Sequence, residues 1–179
     1  MSKDEVEIPS DSAAIIDSSV LFAMGGPSNE KYQAFERFVR KHNITVTVPE
    51  QVAEELGESP GAYEYQRDRL RAAQDAGWLT PAQIDFSVPR VSEVVDNTRT
   101  RMAALSADDV TEDEIEKTDT VLAGVAYQYV AEGSAHVTVF VSDRIAERAI
   151  GDVLSAVGVA DRTSVVEGRA FLKSLVSNS

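Results

Sequence analysis

AAIIDSSVL, residues 13–21, runs through four apolar positions, meets one acid at Asp17 and follows it with two serines. TVFVSDRIAERA, residues 138–149, repeats the arrangement, with Asp143 closing the most hydrophobic run of the chain. A short apolar run of this kind reads as a buried strand. An acid just after it is, taken alone, the usual cap of the following helix. Two such acids matter more if the fold brings the two strand ends together.

The segments between them alternate in kind. NEKYQAFERFVRKH (29–42) places Tyr32, Phe35, Phe38 and Val39 at helical spacing. ITVTVP (44–49) is a short strand, and Pro49 both stops it and opens the next helix, EQVAEELGE, with Gly57 as its end. Residues 58–110 read as a mainly helical insertion, with a strand around Ile84 to Val88. TEDEIEKTDTVLAGVAYQYVAEG (111–133) is a long helix with Ile115, Val121, Leu122, Val125 and Tyr129 on its apolar face and Gly133 at its end. HVTVFVS is a strand, RIAERAIGDVLSAVG a helix, TSVVEG a last strand and RAFLKSLVS a closing helix.

Short apolar strands alternating with helices predict a three-layer α/β/α fold around a parallel sheet of four to five strands. We expect one domain over 13–179, preceded by a flexible leader, 1–12. In open sheets of this kind ligands bind beyond the carboxyl ends of the strands. Asp17 and Asp143 would therefore share one rim.

Composition narrows the chemistry. The 179 residues contain no cysteine and two histidines, His42 and His136. Thiol nucleophiles, disulfides and thiolate metal sites are excluded, and any metal site would be built from oxygen, which favours Mg²⁺ or Mn²⁺. Thirty acids against 17 bases give a net charge of −13. Scattered acids suit a salty cytoplasm, where screening shortens their reach. The polar first residues do not suit a secretory signal, and no apolar window suits a membrane span, so a soluble cytoplasmic protein is expected.

Two further acids fit the rim. Glu55 lies in the helix after the second strand, with Glu54 as the alternative inward-facing position, and Asp119 precedes an apolar helical face. Four carboxylates at one rim repel one another unless divalent cations neutralise them. Such ions polarise a phosphodiester and activate water. No Gly-rich phosphate loop is present, and Ser19 stands where a haloacid-dehalogenase-type hydrolase needs a second Asp. A receiver domain would need paired acids at the first strand, which residues 13–16 do not supply.

IIDSSVL, VPEQVAEEL, KTDTVLAGVA and FVSDRIAERA, in this order, resemble the four acidic motifs of the PIN domain, a metal-dependent ribonuclease fold, here of archaeal, salt-adapted type. The resemblance covers about 13–57 and 113–167. It implies that Asp17, Glu55, Asp119 and Asp143 hold Mg²⁺ or Mn²⁺ and carry RNA phosphodiester hydrolysis. Glu147 corresponds loosely to a fifth acid of some members. Ser19 and Ser142 fall where members carry small polar residues that orient water or phosphate. Family members often pair, so a homodimer is implied. The long middle segment departs from the compact toxin-like members and offers a surface for a protein partner.

Arg144 and Arg148, one turn apart beside Asp143, are the candidate RNA contacts. Arg67, Arg69, Arg71, Arg90, Arg99 and Arg101 make the middle segment the most basic part of the chain, although pairing with helical acids explains them equally. Trp78, Tyr63 and Tyr65 are read as packing residues before base-stacking ones. The rival function is an inert PIN-like module that binds RNA or protein.

Overall fold

The computed structural model describes residues 8–50, 64–106 and 117–177. Its elements begin with β1 (Ala13–Ile16), α1 (Ser18–Met24), α2 (Glu30–Lys41), β2 (Thr45–Pro49), α3 (Glu64–Asp75) and β3 (Leu79–Ala82). They continue with α4 (Val91–Leu105), α5 (Lys117–Ala131), β4 (Val137–Val141), α6 (Arg144–Ala156), a 3-10 turn (Ala160–Arg162), β5 (Thr163–Glu167) and α7 (Gly168–Ser177). The five strands form one all-parallel sheet in the order β3-β2-β1-β4-β5.

The two central strands are apolar on both sides because both sides are covered. Ala14, Ile16 and Phe140 face a core built with α1, α2, α3 and α7, while Ile15, Val137, Val139 and Val141 face a second core built with α4, α5 and α6. Aromatic rings fill the first core. Phe35 meets Trp78, Phe140 and Phe171 edge-on at centroid distances of 5.6, 5.7 and 6.4 Å. Trp78 is buried and donates Nε1–H to Tyr32 Oη at 3.1 Å, so it is a packing residue and does not present a face to a base.

The middle segment is helical over α3 and α4, but it also supplies the sheet's edge strand and core side chains to both layers. That strand lies at Leu79–Ala82, five residues before the position expected from Ile84 to Val88. Pro81 hid it. A proline removes a ladder donor and argues against a central strand, but an edge strand tolerates it, and β3 pairs with β2 alone. The alternating residues Ile84, Phe86 and Val88 form a turn instead. Asp85 N–H donates to Gln128 Oε1 at 2.8 Å, and Gln128 Nε2 donates to Gln83 O at 3.1 Å. Ser87 donates its hydroxyl and its backbone N–H to Asp85 Oδ1, which holds the Asp85 carboxyl below its ordinary range.

The leader, expected to be loose to residue 12, is packed from Ile8 onward. Ile8 enters the first core, Ser12 Oγ donates to Pro9 O at 2.6 Å, and Asp11 N–H donates to His42 O. Helix α5 ends where expected: Gly133 takes φ 110°, with Ser134 N–H returning to Tyr129 O. Among the described residues no helix is long and apolar enough to cross a membrane.

Helix α7 is seated directly on α1. A Cβ at Gly168 would come within 2.6 Å of both Val20 methyls and 3.2 Å of Val20 Cβ. Val20 is fully buried and stiff at χ1, so no rotation makes room. Gly168→Ala should therefore cost about 1–3 kcal/mol, read as a lower urea midpoint at unchanged slope. Adding Val20→Ala should recover part of that loss. An additive double variant would mean that the contact is not what limits residue 168.

Candidate active site

Strand β1 is the point at which the sheet's winding reverses. The chain first builds outward through β2 and β3, then crosses to the other side of β1 to add β4 and β5. The crevice at such a reversal, beyond the carboxyl ends of β1 and β4, is the ligand position of open α/β sheets. Ile16 is in register with Phe140, and Asp17 N–H donates to Phe140 O at 3.0 Å. The ladder therefore fixes the backbone of Asp17 at the seam.

Asp17 occupies the N-cap position of α1 with extended backbone, yet its side chain makes no capping hydrogen bond. Its carboxylate is instead gripped from the side. Ser19 Oγ donates to Asp17 Oδ2 at 2.6 Å and lies 2.5 Å from Ser142 Oγ, beyond the end of β4. A hydroxyl has one proton and an ionised carboxylate only accepts, so the Ser19 proton is committed to Asp17 and Ser142 must donate to Ser19. The result is a relay, Ser142 to Ser19 to Asp17, across the β1–β4 seam. Ser18 Oγ reaches the other oxygen, Oδ1, only at 3.5 Å. Asp17 is 7% exposed, and among the described residues no Lys, Arg or His ion-pairs with it.

Asp143 behaves differently. It is exposed, and its Oδ1 accepts from Ile145 N–H at 2.8 Å, capping α6. The ordinary explanation of an acid after a strand thus applies to Asp143 and fails for Asp17. Asp119 is the third residue of α5 and is 8% exposed. A helix that feeds a parallel strand runs back along the sheet, so the first turn of α5 lies toward the carboxyl rim. Glu55 and Glu54 lie outside the described residues. Among the described residues no three His, Asp or Glu side chains form a group able to hold a metal ion. Asp17, Ser19 and Ser142 are brought together; Asp17, Asp119 and Asp143 do not make a three-ligand set by themselves.

Arg144 and Arg148 are exposed on α6, with half-buried Glu147 between them, and the three line a cleft of about 540 Å³. Thr163 and Val165 of β5 form the opposite wall. These two residues carried no signal in the sequence, because only the sheet brings β5 beside α6. The basic middle segment is largely paired: Arg90 with Glu93, Arg99 with Asp96 and Arg101 with Asp152, at 3.4, 3.8 and 2.9 Å. Tyr63 is outside the described residues, as are the side chains of Arg67, Arg69 and Tyr65. His136 sits at the opposite end of the sheet, where burial lowers its pKa and Ser164 Oγ lies 2.9 Å from Nε2.

The contrast between the two aspartates has a stability signature. Asp143→Ala removes a cap and should cost about 0.5–2 kcal/mol, whereas Asp143→Asn keeps the cap and should cost little. Asp17→Asn removes a buried charge without removing a cap and should leave the urea midpoint unchanged or raised. A loss at Asp17→Asn as large as that at Asp143→Ala would make Asp17 a structural residue.

A family model, the Halobacterial PIN domain, matches residues 10–179, nearly the whole chain. No curated protein and no solved structure matches it. The five-stranded parallel sheet with helices on both faces agrees with that match. The chain belongs to the halobacterial PIN-domain family.

Proposed function

We propose that this PIN-family chain is a cytoplasmic endoribonuclease that hydrolyses RNA phosphodiester bonds with Mg²⁺ or Mn²⁺ held by Asp17, Glu55, Asp119 and Asp143. The observation that carries the reading is Asp17: a nearly buried carboxylate at the seam, not spent on a helix cap and without a cationic side chain beside it among the described residues. A buried carboxylate calls for compensation, and two hydroxyls supply little of it. The donor set is all oxygen in a chain without cysteine, which suits hard divalent cations. A cation bound there supplies charge stabilisation at the phosphodiester and a more acidic water.

The residues of the chain have separate tasks. Ser19 occupies Asp17 Oδ2 and leaves Oδ1 as the oxygen with ligand capacity. Ser142 holds Ser19 and ties the end of β4 to the end of β1. Asp143 caps α6 through Oδ1, so its ligand oxygen would be Oδ2. Glu55, or water held by Asp119, would complete the set.

The capping bond of Asp143, which accounts for that acid without a metal, favours the second reading, an inert module that binds RNA or protein. Calorimetric titration of Mn²⁺ in molar KCl separates the two. The wild type should bind saturably, and Asp17→Asn with Asp143→Asn should not. Ser19→Ala should weaken Mn²⁺ binding about 10–100-fold, the usual effect of losing an outer-shell partner. RNA cleavage should need the metal, stop in EDTA and fall by more than about 100-fold in Asp17→Asn. Unsaturable uptake that is equal in wild type and variant would sink the nuclease reading.

A further inference from the structure

The two edges of the sheet are built differently. β3 is four residues long, exposes Thr80 and carries Pro81. A short edge strand with a proline resists pairing with another strand. β5 is five residues, Thr-Ser-Val-Val-Glu, paired with β4 in unbroken register over its whole length. It has no proline, lysine or bulge, and its outer side has no strand beside it. Its one charged side chain, Glu167, is engaged by the Ala170 N–H at the start of α7. Nor does α6 close off the flank of this edge, because Thr163 and Val165 stay half-buried as one wall of the cleft.

The charges on the other wall follow an order. α6 starts where β4 ends, at the carboxyl rim, and presents in turn Arg144, Glu147, Arg148 and Asp152, which reads plus, minus, plus, minus. Neither arginine makes an ion pair among the described residues, nor does Glu147. Arg101 engages Asp152 through Oδ2 alone, at 2.9 and 3.0 Å, so Oδ1 is left. At 1.5 Å per residue the four charges stand at about 0, 4.5, 6 and 12 Å along the helix. Reversed, the same order reads minus, plus, minus, plus at about 0, 6, 7.5 and 12 Å. Every charge then meets its opposite within about 1.5 Å along the axis. A copy running in the same direction would set like against like. The wall is thus complementary to itself in antiparallel alignment, which is the alignment a two-fold axis makes.

We propose that this face is the interface of a homodimer: β5 pairs antiparallel with β5 of a second copy, and the two α6 helices form Arg144–Asp152 and Glu147–Arg148 ion pairs across the two-fold axis. The two sheets join into one. Backbone pairing of this kind needs no net charge difference between partners. In molar KCl, where the Debye length is about 3 Å, the repulsion between two chains of net charge −13 is muted, while ion pairs in contact keep their hydrogen bonds. The axis sends the two carboxyl rims to opposite ends of the joined sheet. Asp17 lies two strands in from the interface, about 10 Å at ~4.8 Å per strand. The dimer therefore leaves each rim open, and the proposal stands apart from the reading of the rim's chemistry.

The test is sedimentation equilibrium of the full chain in molar KCl, with amide hydrogen exchange measured at low and high protein concentration. The wild type should be a dimer whose β5 amides gain protection as concentration rises, while those of β3 do not change. Arg144→Glu/Arg148→Glu makes the wall wholly acidic without breaking an ion pair found within the chain. It should raise the dimer dissociation constant more than about 10-fold, with an unchanged circular dichroism spectrum. Mixing it with Glu147→Lys, in which the Arg101–Asp152 pair is kept, should restore association as a heterodimer. Asp17→Asn should dimerise like the wild type. A monomeric wild type, association unaffected by charge reversal, failure of the mixed pair to associate, or protection gained at β3 instead of β5 would each overturn the interface.

Discussion

Everything at the carboxyl rim depends on the parallel pairing of β1 with β4. These strands are far apart in sequence, and each is buried on both faces, so neither can be satisfied until the other is in place. Their pairing fixes the backbone of Asp17 through Phe140 O and sets Ser142 opposite Ser19. Strand propensity alone would leave the register open to a slip. The alternation of Ile16 and Phe140 toward one core with Ile15 and Val139 toward the other closes that option, since a one-residue shift would exchange the two sets.

The two aspartates show how similar local sequence acquires different physical roles. Asp143 is followed by a helix whose second N–H it caps, and it stays in water. Asp17 is followed by serines, and the nearer demand on its carboxylate comes from Ser19 rather than from the backbone. A hydroxyl two residues along outcompetes the amide, and the buried seam strengthens that choice because polar groups there have few other partners.

Much of the architecture was legible because it depends on short-range periodicity. Helices α2, α5 and α6, strands β1, β2 and β4 and the stop at Gly133 all follow from spacing and from glycine chemistry. The edge strand was not, since Pro81 reads as a breaker unless one knows that β3 has a single neighbour. Asp17, Asp119 and Asp143 could be singled out from motif order. The division of labour between them could not, because the Ser142–Ser19 hydrogen bond spans 123 positions and leaves no trace in either local stretch. The arginines of the middle segment were open to two readings, an RNA surface or pairing with acids, and three of them are answered by acids at helical spacing or across α4 and α6.

The seating of Gly168 on Val20 has a consequence for the order of synthesis. Helix α1, which carries Ser19, is backed by α7, and β1 needs β4 beside it; both supports are made long after residue 17 has left the ribosome. A nascent or shortened chain therefore holds its rim aspartate on an unsupported strand end. The carboxyl rim takes shape only once β4 has paired with β1 and α7 has docked on α1.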